Sequence, residues 1–122
     1  MSASIRALRG ATTIDTDTRE LITERVVALL GMLFERNGLH HDDVVSVLFT
    51  ATDDIHAMFP AEAARKFGLG DVPLICAQEL DIEGGTPLCI RVMLHVTTER
   101  ERAELRHVYL EGAQNLRDDL PG

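Results

Sequence analysis

Hydrophobic and polar residues recur along the chain with spacings that predict strands and helices. Positions 5–10 alternate with period two, which predicts a strand that places Arg9 on one face among apolar neighbours. Positions 18–36 carry apolar residues at helical spacing, so this segment is predicted to be a helix, with Asp17 and Glu20 spaced as a capping box at its start. The Asn-Gly pair that follows is a typical helix stop.

Three further runs of β-branched and apolar residues predict strands. They occupy positions 43–51, 72–82 and 88–98. The first is predicted to be buried, and the third, which is apolar on both faces, to be buried on both sides. A short helix is expected from Phe59 to Phe67, with Pro60 in its first turn.

The last segment of the chain fits two interpretations. Positions 99–117 form either one helix, or a helix followed by a short strand at 107–110 and a final turn. The order of the elements predicts a single α+β domain over residues 1–122, a mixed sheet with helices packed on it.

A glycine-containing turn at positions 84–87 suggests that the strands on either side form an antiparallel hairpin. If its centre lies near Gly85, opposed residues have numbers that sum to about 170, which places Glu79 opposite Arg91. Both residues stand among apolar neighbours. We therefore expect a carboxylate and a guanidinium to be buried side by side.

Arg9 and Arg91 are permanent cations set in apolar surroundings. A salt bridge between Arg91 and Glu79 that only satisfies itself is one interpretation, although desolvation costs several kcal/mol per ion. Arg9 weakens that interpretation, because one carboxylate cannot neutralise two guanidinium groups. Surplus positive charge in an apolar pocket favours a small anion that carries carboxylates.

Composition and charge exclude several classes of partner. The formal net charge is −8, there is no tryptophan and there is one tyrosine, so neither nucleic acid nor an anionic membrane is an expected partner. No apolar run approaches the roughly 20 residues that span a bilayer, and we see no signal peptide. Cys76 and Cys89 lie in apolar runs and are expected to be reduced thiols, so a cytoplasmic location is predicted.

Other chemistries find little support in the residue pattern. His40-His41 has no cysteine or histidine at ligand spacing, so no metal site is predicted, and no cofactor motif stands out. Cys76 lacks an identifiable base. Glu79 and Asp81 share a strand face at the predicted spacing and leave a small hydrolase open as an alternative. Cationic anchors without a nucleophile suit a unimolecular rearrangement, which needs a folded substrate and charges placed at its transition state.

Five segments resemble the AroH-type chorismate mutases in order and spacing, from position 5 to position 120. They are RALRGATT, FTATDDIHAMFPAEAAR, VPLICAQELDI, CIRVMLHV and RHVYLEGAQNLRDDL. The resemblance implies conversion of chorismate to prephenate by a Claisen rearrangement in aromatic amino-acid biosynthesis, without a cofactor. It also implies a homotrimer with a pseudo-α/β-barrel core and with active sites in clefts between adjacent subunits.

The resemblance assigns roles to individual residues. It places Arg91 beside the ether oxygen of the substrate, and Arg9 and Tyr109 on one substrate carboxylate. Glu79 matches a glutamate that accepts a hydrogen bond from the ring hydroxyl, and Cys76 matches a cysteine whose backbone region meets the same hydroxyl.

Further matches complete the implied site. Arg65 corresponds to an arginine near the cleft mouth that favours the other carboxylate, whereas Glu62 receives no binding role. The residues that match the apolar lining are Phe59, Ala61, Ile75 and Leu116. A trimeric module that binds a small dicarboxylate without chemistry is the alternative to an enzyme.

Overall fold

Residues 3–116 are described by the computed structural model. Their strands are β1 (Ser4–Thr13), β2 (Val44–Ala51), β3 (Leu74–Gln78), β4 (Cys89–Thr98) and β5 (Val108–Tyr109), and their α-helices are α1 (Arg19–Asn37) and α2 (Pro60–Ala64). The strands form one sheet in the order β3-β2-β4-β1-β5. β4 runs antiparallel to β1 and β2, whereas β3 is parallel to β2 and β5 is parallel to β1. The predicted α+β class with a mixed sheet is therefore confirmed.

The long helix α1 begins and ends close to the predicted positions. Its N-cap is Thr18, whose hydroxyl accepts the backbone N–H of Leu21 at 3.1 Å. The prediction of Asp17 as the cap is wrong, because its carboxylate accepts the backbone N–H groups of positions 56–57 at 2.8 and 3.0 Å. Gly38 ends the helix in the left-handed region, with φ of 60°.

α1 packs on one face of the sheet, and the side chains there form the core. On the buried face, β1 and β4 contribute Leu8, Gly10, Thr12, Ile90, Val92, Leu94 and Val96. Gly10 allows the helix to approach closely, since a Cβ at this position would lie 3.0 Å from Leu33 Cδ1 and 3.1 Å from Leu29 Cδ1. The core therefore depends on direct contact between α1 and β1.

No helix within residues 3–116 covers the opposite face of the sheet, called here the open face. Val45 and Leu48 of β2 and Arg91 of β4 are exposed on it. The predictions that β2 is buried and that β4 is buried on both sides are wrong for the single chain, because the helices cover only one face. A functional surface can therefore form on the other.

The predicted hairpin is wrong. β3 pairs in parallel with β2, and β2 separates β3 from β4. The reason is the connection through α2, since a strand–helix–strand crossover places the second strand parallel to the first. The turn itself is present, with Gly84 at φ of 82°, but it leads from the edge of the sheet back to its centre.

Several element boundaries also differ from the predictions. β1 extends to Thr13 and β3 is confined to Leu74–Gln78, whereas the helix expected from Phe59 to Phe67 becomes α2 and a wide turn over Arg65–Leu69. In the last segment the second interpretation holds, with a 3₁₀ turn over Arg102–Glu104 in place of the helix, then β5 and a second 3₁₀ turn. The final residues of the segment RHVYLEGAQNLRDDL lie outside the described residues.

Candidate active site

The register of three strands brings Arg9, Arg91 and Tyr109 onto the open face. Ala11 of β1 is opposite Arg91 on one side and Tyr109 on the other, and Arg9 is opposite Met93. Directly opposed residues point to the same face of a sheet. The three side chains line one cleft of about 200 Å³, together with Glu79 and others.

The expected ion pair between Glu79 and Arg91 is present, although the hairpin that predicted it is not. Oε2 of Glu79 lies 3.3 Å from Nε of Arg91. Glu79 directly follows β3, and its backbone N–H donates to the carbonyl of Ala51 at 2.9 Å. The Thr50 hydroxyl, on β2 between the two, donates to Oε2 of Glu79 at 2.9 Å. The pair is therefore formed across an intervening strand.

The expectation that this ion pair is buried is wrong for the single chain. The side chain of Arg91 is 45% exposed and that of Glu79 is 28% exposed. Both stand on the open face, which no helix in the described part of the chain covers. Space for a ligand remains next to the guanidinium, since Arg91 lines the cleft rather than filling it.

Tyr109 is positioned by contacts between the two ends of the chain. The backbone N–H of Arg9 donates to Nδ1 of His107 at 3.0 Å, and the N–H of Leu110 donates to the carbonyl of Ala11 at 2.9 Å. The segment that leads to β5 is held by Asn37, whose buried amide bonds the backbone N–H and C=O groups of position 106. These bonds fix Tyr109 beside Arg9.

Other predicted site residues form a second group around α2. Phe59 and Cys76 line a cavity of about 500 Å³. Burial raises the pKa of the Cys76 thiol, and this shift is partly opposed by the backbone N–H of Ala61 and the positive charge of Arg65. Ala61 is buried and Arg65 is exposed, and the Phe59 side chain is 72% exposed at the start of the helix.

The sheet separates the two groups. Cys76 is opposite Phe49, which is fully buried on the helix side, whereas Thr50 shares the open face with its cross-strand partner Arg91. Arg9 and Tyr109 also lie on the open face. Within residues 3–116, a single chain therefore does not bring both groups into one pocket.

Two more predicted lining residues occupy different places. Ile75 is 64% exposed and lies on the open face opposite Leu48. Leu116 is half-buried near the end of the described residues, and its backbone N–H donates to the carbonyl of Ala113 at 3.1 Å. Neither of them lines the cleft around Arg91.

Two residues near the predicted site were missed from the sequence. Arg19, which the sequence did not single out, pairs with Glu62 at 2.5 Å and lines the cavity beside Phe59. Thr50 contacts Glu79 directly. The first contact depends on how α1 packs against α2 and the second on the strand order, and the partners in both are distant in the sequence.

The described residues also bear on three alternatives: a hydrolase, a metal site and a membrane-spanning helix. β3 ends at Gln78, so Glu79 and Asp81 lie beyond it, and the strand spacing that suggested a hydrolase is absent. Within residues 3–116, no three His, Cys, Asp or Glu side chains are grouped so as to hold a metal ion. No helix in that range combines the length and apolarity needed to cross a bilayer.

Comparison with known proteins places this geometry in a family. The sequence model of the family described as chorismate mutase type I matches residues 5–120. Chorismate mutase AroH of Bacillus subtilis (strain 168) is 47% identical over 117 residues, which cover 95% of this chain and 92% of that protein. Chorismate mutase AroH of Thermus thermophilus is 41% identical over 117 residues, which cover 95% of this chain and 96% of that protein.

A solved structure agrees with these matches. The chorismate mutase from Clostridium thermocellum has a TM-score of 0.87 and 44% sequence identity, and the match covers 89% of this chain and 97% of that one. The sequence matches and the structural match each cover nearly the whole chain. The chain belongs to the chorismate mutase type I family.

Proposed function

We propose that the cleft on the open face isomerises chorismate to prephenate by a Claisen rearrangement, with Arg91 as the principal electrostatic group. The observation that carries this proposal is the charge of the cleft. Among residues 3–116, two guanidinium groups, of Arg9 and Arg91, and the phenol of Tyr109 line it with a single carboxylate, that of Glu79. The cleft retains positive charge for a dianionic substrate.

The reaction requires no nucleophile and no proton transfer. Within one molecule the ether C–O bond breaks, a C–C bond forms and the double bonds shift, so the mass is unchanged. Arg9 and Tyr109 hold one carboxylate and keep the substrate in its compact conformer. The ether oxygen gains negative charge as its bond breaks, and Arg91 binds that oxygen more tightly in the transition state than in the ground state. The Glu79 carboxylate accepts a hydrogen bond from the ring hydroxyl of the substrate.

We further propose that the complete site forms between copies of the chain in a homotrimer. The separation of the two residue groups by the sheet supports this proposal, because one copy would supply Arg9 and Arg91 and its neighbour Phe59 and Arg65. The exposed apolar side chains of Phe59 and Ile75 offer contact surface. A head-to-tail interface of this kind closes into a ring when the rotation permits. Light scattering measures the number of copies.

A mixed-subunit experiment tests the shared site. Arg91→Ala disables one group of residues and Arg65→Glu the other, and both variants are expected to be poorly active alone. When equal amounts are unfolded and refolded together, about one quarter of the sites in random trimers combine two intact halves, so about one quarter of wild-type turnover returns. If each site belonged to one chain, mixing would restore nothing. Refolding each variant alone is the matched control.

The activity itself is tested by following the loss of chorismate absorbance in the ultraviolet and by measuring the molecular mass of the product by mass spectrometry. We expect conversion to a product of unchanged mass, at a rate above that of chorismate in buffer alone. Saturable binding without conversion would instead support a dicarboxylate-binding module, and release of a fragment would support a hydrolase. We place the enzyme in the cytoplasm, a proposal supported by the free thiols of Cys76 and Cys89.

A further inference from the structure

We propose that Thr50 is a positioning residue for the rearrangement, because its hydroxyl fixes the carboxylate that orients Arg91. This inference rests on the proposed function. Thr50 lies on β2, opposite Arg91 of β4 and opposite Ala77 of β3, so its side chain projects between the two groups that it would connect. It also lines the cleft.

Three contacts hold the Glu79 carboxylate. Oε2 accepts the Thr50 hydroxyl at 2.9 Å and lies 3.3 Å from Nε of Arg91, while Oε1 accepts the backbone N–H of Leu80 at 3.3 Å. The bond from Thr50 is the shortest of the three, and it reaches the same oxygen that faces the guanidinium. Thr50 therefore determines which oxygen meets Nε. The N–H groups of Arg91 that contact neither Glu79 nor the Cys89 thiol are left for the cleft.

The chemistry of threonine suits this task. Its β-branched side chain has few rotamers, so a threonine in the middle of a strand presents its hydroxyl in a nearly fixed direction. Without the hydroxyl, the half-exposed carboxylate can turn toward water or form a two-point contact with Arg91. Either movement changes the direction in which the guanidinium meets the ether oxygen. Because that interaction strengthens in the transition state, kcat should fall more than KM rises.

The test compares one substitution that removes the hydroxyl with one that keeps it. Thr50→Val keeps the shape and removes the hydroxyl, and Thr50→Ser keeps the hydroxyl. We expect Thr50→Val to lower kcat about tenfold with KM changed less than about twofold, which is the size expected for one hydrogen bond to a charged group. Thr50→Ser should remain within about threefold of wild type. Equal losses in both variants, or a wild-type kcat in Thr50→Val, would overturn the inference.

A double-mutant cycle separates positioning from a general structural effect. In a Glu79→Ala background, Thr50→Val should lower kcat by less than about twofold, because the acceptor of the Thr50 hydroxyl is already gone. A full tenfold loss in that background would contradict the proposed route through Glu79. If Thr50→Val does not fold, Thr50→Ala takes its place in the same cycle.

Arg91→Ala measured beside these variants distinguishes the two proposals. If Arg91→Ala is inactive and Thr50→Val is fully active, the role of Thr50 is refuted and the proposed function stands. If Arg91→Ala turns over like wild type, the electrostatic mechanism fails, and the role of Thr50 fails with it.

Discussion

Substitution of Arg91 by alanine tests the electrostatic mechanism most directly. At an effective dielectric constant of about 20, two unit charges about 4 Å apart interact by about 4 kcal/mol, so half a unit of charge on the ether oxygen gains about 2 kcal/mol. Removal of a preorganised donor that stabilises developing charge costs roughly 3–4 kcal/mol in other enzymes. We therefore expect Arg91→Ala to lower kcat by about a hundredfold to a thousandfold.

The fold should survive this substitution. The Arg91–Glu79 pair is half-exposed in the single chain, and pairs of this kind contribute at most about 1 kcal/mol to stability. Initial rates of chorismate loss at saturating substrate measure kcat, and thermal unfolding monitors the fold. Arg91→Lys should recover only part of the activity, because a lysine lacks the planar fork of donors.

Cys76→Ala is the matched control, since it removes a predicted binding residue that carries no charge. It should retain far more turnover than Arg91→Ala. Near-normal turnover in folded Arg91→Ala would refute the reasoning, because the charge assigned to the transition state would then be unnecessary.

Three further predictions concern packing and pH. Gly10→Ala should destabilise the fold by about 1–3 kcal/mol in urea unfolding, because the new Cβ would crowd Leu33 of α1. Gly31→Ala should be neutral or stabilising, because its Cβ would lie 3.9 Å from Phe67 Cε1, an ordinary van der Waals distance. Burial alone would raise the pKa of Asp54, but hydrogen bonds from Thr52 and a backbone N–H lower it. Wild type should therefore be more stable than Asp54→Asn at neutral pH, and this difference in stability should disappear as the pH falls through the pKa of Asp54 in the folded protein. Thermal unfolding of both proteins at a series of pH values measures this difference. A stability difference that grew in acid would contradict the prediction. The catalytic rate should be nearly constant through neutral pH, since no step needs a titrating base, and a steep bell-shaped profile would indicate acid–base chemistry.

The alternation of residues along β1 and β4 was sufficient to predict which side chains share a face. Arg9 was placed correctly in this way, whereas the meeting of Glu79 with Arg91 was predicted from a hairpin that does not form. The topology behind that meeting was not predictable from local spacing, because the parallel pairing of β3 depends on the path of the chain through α2. The contact of Thr50 with Glu79 follows from that topology and was missed with it.

Burial was overestimated for a physical reason. The sequence of β4 is apolar on both faces, but the helices found between residues 3 and 116 cover only one. Hydrophobic spacing records that a face avoids water without recording what covers it. In the proposed trimer a second copy would cover the open face, and the predicted desolvation of Arg91 would then be a property of the assembly.

The bond from the backbone of Arg9 to the ring of His107 joins residues 98 positions apart. β1 is synthesised well before both of its neighbours in the sheet, β4 and β5, which follow α1, β2 and β3 in the chain. During translation it must remain without these partners until most of the protein has left the ribosome, and contacts that close such long loops form slowly. The amino-terminal strand is therefore the segment for which a nascent chain would most need protection from aggregation.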